Sequence, residues 1–139
     1  MERQTTALRK LLKTESFLTM PSCYYPLGGR LIKDVGFKAG YVGGFVTGGS
    51  LCTSEPLVTM DEQVRVSRAV AESVDMPIVA DGGAGFGDPL HTMHSVREFI
   101  NAGVAGIHIE DQLYPKRAHY HKYVAHAVPR EEFIDKIKF

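Results

Sequence analysis

A chain of 139 residues with 44% hydrophobic and 23% charged content holds enough apolar material for one globular unit and is too ordered in composition for a disordered tail. Sixteen basic and sixteen acidic side chains cancel, so neither nucleic acid nor an anionic membrane surface is favoured as a partner, and a small molecule is. No apolar run approaches the roughly 18 residues of a membrane-spanning helix, the stretch from Met1 to Thr14 lacks a signal core, and Cys23 and Cys52 fit no metal or redox spacing; a cytoplasmic location with reduced thiols is expected.

Ala7, Leu8, Leu11 and Leu12 recur at helical spacing among Arg and Lys, which predicts a short amphipathic helix ahead of the main fold. Four short apolar runs follow as strand candidates: Phe17 to Met20, Ala39 to Val42, Pro77 to Ala80, and Gly106 to Ile109. Between the second and third, Thr59 and Glu62 have the form of a capping box, and Met60, Val64, Val70 and Val74 continue as a mostly apolar stripe. Asp88 as N-cap and Pro89 at the first helical position open a further helix, with Leu90, Met93, Val96, Phe99 and Ile100 expected on its inner face and Gly103 closing it. Pro129 opens a last helix whose expected face is Phe133, Ile134 and Ile137.

The strands lack clean polar alternation, which suits a parallel sheet covered by helices. An internal echo points to repetition: Gly36-Phe37-Lys38-Ala39-Gly40-Tyr41 resembles Gly103-Val104-Ala105-Gly106-Ile107 with one residue removed. The expectation is an α/β chain of four βα units behind an N-terminal helix, the last unit unfinished, forming a single partial domain over 1–139. A closed (β/α)8 barrel uses about 250 residues, so four units amount to roughly half of one.

Loops after the carboxyl ends of parallel strands carry the chemistry of such folds. The third strand runs into Asp81 and a glycine-rich stretch, and the fourth ends in Glu110-Asp111. Asp81 and Glu110, from neighbouring strand ends, can converge on a hard cation such as magnesium, which prefers oxygen ligands and keeps several waters; the alternative is a pair of solvated acids. Gly82, Gly85 and Gly87 give G-x-x-G-x-G rather than the dinucleotide spacing, and Asp81 would set negative charge against a pyrophosphate. Glycines after Tyr41 and Val42 either let a ligand carboxylate approach the main chain or form a tight turn. The basic, aromatic segment from Pro115 to Tyr123 is either a lid over an anionic substrate or a solvated loop. His91 and His94 on a helix outside the sheet, with His119, His121 and His126, lack the converging spacing of a zinc site.

Three motifs together resemble the isocitrate lyase/phosphoenolpyruvate mutase superfamily: Gly-Phe-x-Ala-x-Tyr-Val-x-Gly at 36–44, Ala-Asp-x-x-x-Gly-Phe-Gly-Asp at 80–88, and Ala-Gly-Val-Ala-Gly-Ile-His-Ile-Glu-Asp-Gln at 102–112, with Pro115-Lys116-Arg117 after them. The likeness runs from about Phe17 to the end and is nearest the methylisocitrate lyase and carboxyphosphonoenolpyruvate mutase-like branch. It implies the N-terminal half of a TIM (β/α)8 barrel, a magnesium cofactor, a small carboxylate substrate, carbon–carbon bond cleavage through an enolate, and a homo-oligomer in the full-length form. By the same resemblance Tyr41, Gly43 and Gly44 match the substrate-carboxylate segment, Asp81 the principal metal ligand, and Glu110 an acid that holds the metal's waters. Glu55 matches an acid near the metal. Lys116 and Arg117 match the start of the catalytic loop. Departures stand beside the matches: Gly83 replaces the family's second aspartate, Tyr25 an aspartate after the first strand, and Ala118 the loop cysteine that donates a proton, a duty that falls to His119 or His121 if it is kept. These departures leave a second expectation, a catalytically impaired member or fragment with a structural or regulatory role.

Overall fold

The structure, a computed structural model, describes residues 2–117 and 126–139. Helix α1 (Gln4–Thr14) leads in, and its buried Leu8 lies over Gly106, where a β-carbon would stand 3.1 Å from the leucine Cδ2. The expected N-terminal helix therefore covers the start of the last described strand. Three strands, β1 (Gly40–Val42), β2 (Ile78–Asp81) and β3 (Gly106–His108), form a parallel sheet in chain order among the described residues. Val42 stands beside Ala80, and Asp81 beside His108.

The expected strand at Phe17 to Met20 is not formed, and Phe17 is 82% exposed. Its place in the sheet is taken a few residues later by a single parallel bridge between Ser22 and Tyr41. Cys23 N–H donates to the Tyr41 carbonyl at 2.9 Å and Tyr41 N–H to the Pro21 carbonyl at 3.0 Å. Proline has no amide hydrogen to give a ladder, which confines the pairing to the residues just after it. The four-unit expectation survives in this form: the Ser22 bridge is followed by α2 (Pro26–Asp34), β1 by α3 (Gly44–Ser50) and α4 (Met60–Ser73), β2 by α5 (Pro89–Asn101), and β3 by α6 (Arg130–Lys138).

Helices with a side-chain start signal sit where the sequence puts them. Thr59 and Glu62 close a reciprocal capping box on α4, with Thr59 N–H donating to Glu62 Oε2 at 2.8 Å and Glu62 N–H to Thr59 Oγ1 at 3.3 Å. Asp88 caps α5 by accepting from His91 N–H at 3.0 Å, with Pro89 next in line. The repeat echo also has a geometric basis: Gly36 and Gly103 both adopt positive φ, +97° and +79°, where the chain leaves a helix and turns back into a strand.

Two helix faces differ from expectation. On α5 the buried positions are Thr92, Ser95 and Phe99, while Leu90, Met93 and Ile100 face outward. On α6 Lys136 is buried, and Ile134 and Ile137 are exposed. The physical reason is the loop after β2: Ser95 Oγ donates to the Gly85 carbonyl at 3.2 Å, Thr92 fills the space that a β-carbon at Gly85 would need, and Lys136 Nζ donates to the Ala84 carbonyl at 3.3 Å, so polar residues turn inward on both helices. The core forms two clusters, one of Cys23, Ile32, Val42, Val70, Met76 and Ile78, the other of Val64, Ala80, Phe99, Ala102 and Val104. Ala71 on α4 packs against both, so α4 joins the two halves of the core.

A candidate active site at the carboxyl end of the sheet

Asp81 closes β2 and is the best-anchored acid of the site. Its Oδ2 accepts from Gly44 N–H at 2.9 Å; its Oδ1 accepts from Gly83 N–H at 2.8 Å and from His108 Nε2 at 2.9 Å. Burial alone would push this carboxyl up, but the His108 bond and the two amides outweigh it and hold the acid well below the usual carboxylate range. Asp81 is thus a fixed anion whose Oδ1 accepts twice and whose Oδ2 keeps acceptor capacity.

Gly44 sits against two acids. A β-carbon there would come within 3.1 Å of Asp81 Oδ2 and within 3.1 Å of Glu55 Oε1, so only glycine lets both oxygens crowd the same point. Glu55 arrives on the 3-10 turn Glu55–Leu57 after α3. Its Oε1 accepts from Lys116 Nζ at 2.7 Å, and the same ammonium lies 3.1 Å from Glu110 Oε1. Burial works against the Lys116 charge, but the two carboxylates prevail and raise its proton affinity. Glu110 is tied to Asp81 through one residue: Gly83 gives its amide to Asp81 and takes the Glu110 amide on its carbonyl at 2.8 Å. A pocket opens beside this cluster, with Gly44, Glu55, Gln63, Asp81, Phe86 and Lys116 in its wall. Phe86 holds φ +59°, a conformation disfavoured for a bulky side chain, at the rim of that pocket.

Tyr41 projects from β1, its hydroxyl 3.3 Å from His108 Nε2 and its ring centroid 5.6 Å from the imidazole. Burial first, and then the negative charge of Asp81, Glu55 and Glu110, push its phenol far up, so it stays protonated and can donate. His108 is raised by its bond to Asp81, which burial only partly offsets.

The sequence-derived candidates are therefore placed as follows. Asp81, Glu55, Glu110, Lys116, Tyr41 and Gly44 come together at one end of the sheet; Gly43 is the N-cap of α3 beside them. In this structure the Gly44 amide is committed to Asp81. Arg117 is exposed next to Lys116, and His119, His121 and Ala118 lie outside the described residues. Tyr25 stands at the N-cap of α2 without a side-chain cap bond and packs against Tyr24 with ring centroids 4.8 Å apart. His108 was not among the sequence candidates. Its signal is positional: it stands opposite Asp81 in the β2–β3 register, which appears only once the strands are paired.

The donor set at this end of the sheet suits a magnesium ion. All three acids offer hard oxygen donors, magnesium is commonly held by one or two carboxylates plus water, and a cation already lies between two of the acids in the form of the Lys116 ammonium. No cluster of three or more His, Cys, Asp or Glu close enough to ligate directly is found among the described residues. The residues fit an ion held directly by Asp81 with the other acids acting through its waters, and do not fit an all-protein cage.

Residues 8–139 match the phosphoenolpyruvate phosphomutase family model. The chain is 39% identical over 112 residues to a probable 2-methylisocitrate lyase of Corynebacterium glutamicum, covering 80% of this chain and 36% of that protein. It is 35% identical over 133 residues to 2,3-dimethylmalate lyase of Eubacterium barkeri, covering 94% of this chain and 46% of that protein. Among solved structures, phosphoenolpyruvate phosphomutase from Streptomyces platensis subsp. rosaceus superposes with a TM-score of 0.91 at 29% identity over 96% of this chain and 47% of that one. A phosphonopyruvate hydrolase in complex with oxalate and magnesium superposes with a TM-score of 0.87 at 28% identity, over 98% of this chain and 46% of that one. The chain spans between about a third and a half of the length of these relatives. With the fold of half a TIM barrel and a family model matching nearly its full length, this chain belongs to the phosphoenolpyruvate mutase/isocitrate lyase superfamily.

Proposed function

We propose that this chain carries the metal-binding half of a magnesium-dependent carbon–carbon lyase acting on a small 2-hydroxy or 2-oxo carboxylate. The observation that carries the reading is the convergence of Asp81 and Glu55 on Gly44, with Glu110 joined through Lys116, at the carboxyl end of a parallel sheet. A bound magnesium ion would supply Lewis-acid stabilisation of the negative charge that an enolate places on oxygen. The chain's own residues do the rest: Asp81, kept ionised by two amides and an imidazole, would hold the cation, and Glu55 and Glu110 would add negative charge and acceptor oxygens beside it. Tyr41, with its phenol kept protonated, offers a donor to a substrate oxygen beside Gly43 and Gly44. Lys116 and Arg117 stand just before His119 and His121 in the chain, either of which would take the proton-donor role left by Ala118. The relative that binds oxalate with magnesium supports a small, doubly oxygenated ligand as the probe.

A second reading has its own support. Gly83 brings no carboxylate where the family carries one, and its backbone instead serves Asp81 and Glu110. A non-catalytic member would keep the fold and lose the ion.

Isothermal titration with magnesium, then with oxalate in its presence, separates the two. The expected result is magnesium binding abolished by Asp81→Ala and oxalate binding that requires the metal. A chain that takes up no magnesium ends the enzyme reading.

A further inference from the structure

Gln63 is an unusual residue for its place. It lies on α4 with 1% of its surface exposed, on the face that also buries Val64, Ser67 and Val70. Its Nε2 donates to the carbonyl of Val42, the last residue of β1, at 3.0 Å. A carbonyl only accepts, so the amide has one orientation: nitrogen toward β1, oxygen away. That oxygen, Oε1, takes a hydrogen bond from no described residue. A fully buried amide with an unmatched acceptor costs free energy that a methionine or leucine of the same size would not. Packing therefore does not account for it, and its single bond to β1 is what remains.

The bond sits at a sensitive point. Val42 is followed by Gly43 and Gly44, and the Gly44 amide is the donor that holds Asp81 Oδ2 at 2.9 Å. Gly44 is also where Asp81 and Glu55 crowd together. Gln63 itself stands in the wall of the pocket that these acids line. We infer that Gln63 is a positioning residue for the cation site: by holding the Val42 carbonyl from α4, it sets the peptide planes through Gly43 so that Gly44 N–H points at Asp81. Its bearing on the cation rests on the proposed function above; its bearing on Gly44 does not.

The test uses the whole chain with nitrogen-15-labelled glycine and two variants, Gln63→Met and Gln63→Glu. In the wild type the Gly44 amide proton, bonded to a carboxylate, resonates downfield; Asp81→Asn moves it together with the Gly83 amide, and Gly83→Ala removes the second signal, which leaves Gly44. Gln63→Met, which fills the space and lacks the donor, moves that proton upfield and weakens magnesium binding about tenfold, the worth of one well-placed hydrogen bond. Gln63→Glu separates positioning from packing. At about pH 5 its buried carboxyl is neutral and donates to Val42, so the Gly44 signal returns to the wild-type place; at about pH 8 the ionised carboxylate repels the carbonyl and the signal departs. A role in packing alone would leave the amide insensitive to that change. An unmoved Gly44 amide in folded Gln63→Met, a Gln63→Glu signal that ignores pH, or unchanged magnesium affinity in Gln63→Met overturns the inference. If the wild type binds no magnesium, the enzyme reading falls, and the Gly44 amide still decides the role of Gln63.

Discussion

Lys116 and Gly44 show how little room the site leaves for charge or bulk. The Lys116 ammonium, 11% exposed in its side chain, neutralises Glu55 and Glu110 where a divalent ion would need them. Two like charges within a few ångströms repel by several kcal/mol at the effective dielectric of about 20 that suits such sites. Lys116→Met is therefore expected to tighten magnesium binding roughly tenfold in calorimetry, even if it abolishes turnover. Weaker binding in that variant would show that the lysine supports the ion rather than competing with it. Gly44→Ala acts in the opposite sense. Its β-carbon meets two carboxylate oxygens at 3.1 Å, so the acids must part, and magnesium affinity is expected to fall with a loss of stability of about 1–3 kcal/mol. An alanine variant that binds the ion as well as the wild type would mean that the two acids do not share it. At this scale the sequence showed which residues could do chemistry and not how they are held. Asp81, Glu110 and the glycines are visible as strand-end motifs, whereas His108 and Gln63 matter through partners 27 and 21 positions away, which no local pattern reveals.

Element by element, the reading succeeded where a helix carries its own start signal. The capping box of α4 and the Asp88 cap and Pro89 of α5 are local chemistry and stand in the sequence. Helices α2 and α3 went unseen because Gly28, Gly29, Gly48 and Gly49 lower helix propensity, and tertiary contact supplies what propensity lacks. At Gly29 the reason for glycine is direct: a β-carbon would lie 3.1 Å from Val70 on α4, so the two helices approach only without it. The α4 cap supports two expectations. Thr59→Ala removes a hydroxyl that accepts from Glu62 N–H, and should cost about 1 kcal/mol in denaturant unfolding. Glu62 adds a pH dependence. The hydrogen bonds it accepts from the Thr59 amide and the Thr59 hydroxyl hold its carboxyl below the ordinary 4.5, so the folded state releases this proton more readily than the unfolded chain. The stabilisation is thus complete above that ordinary value and is lost as pH falls through the lower folded-state one. Glu62→Gln keeps an acceptor at the cap without a titrating group. Its melting temperature should fall less steeply than that of the wild type in the acid range, and identical acid limbs would remove Glu62 from the account.

Across the whole molecule, charge and surface combine. Sixteen positive and sixteen negative side chains leave no net repulsion between copies near neutral pH. Leu27 and Leu31 on α2 and Val35 at its C-cap follow at four-residue intervals and are all exposed, which makes a continuous apolar stripe on one side of the helix. Such a stripe buries its area most readily against an apolar surface, and a chain without net charge offers no long-range barrier to that contact. Self-association is accordingly expected to be strongest near pH 7 and to recede on either side as net charge grows, read as the concentration dependence of the sedimentation coefficient. Leu31→Lys places a charge in the middle of the stripe without touching either core cluster, since Ile32 on the opposite face is the α2 residue that packs inside. It should return the chain to concentration-independent sedimentation at pH 7 with its melting temperature unchanged. If Leu31→Lys associates as the wild type does while alkaline pH still disperses both, then charge alone governs the contact and the stripe on α2 is not where copies meet.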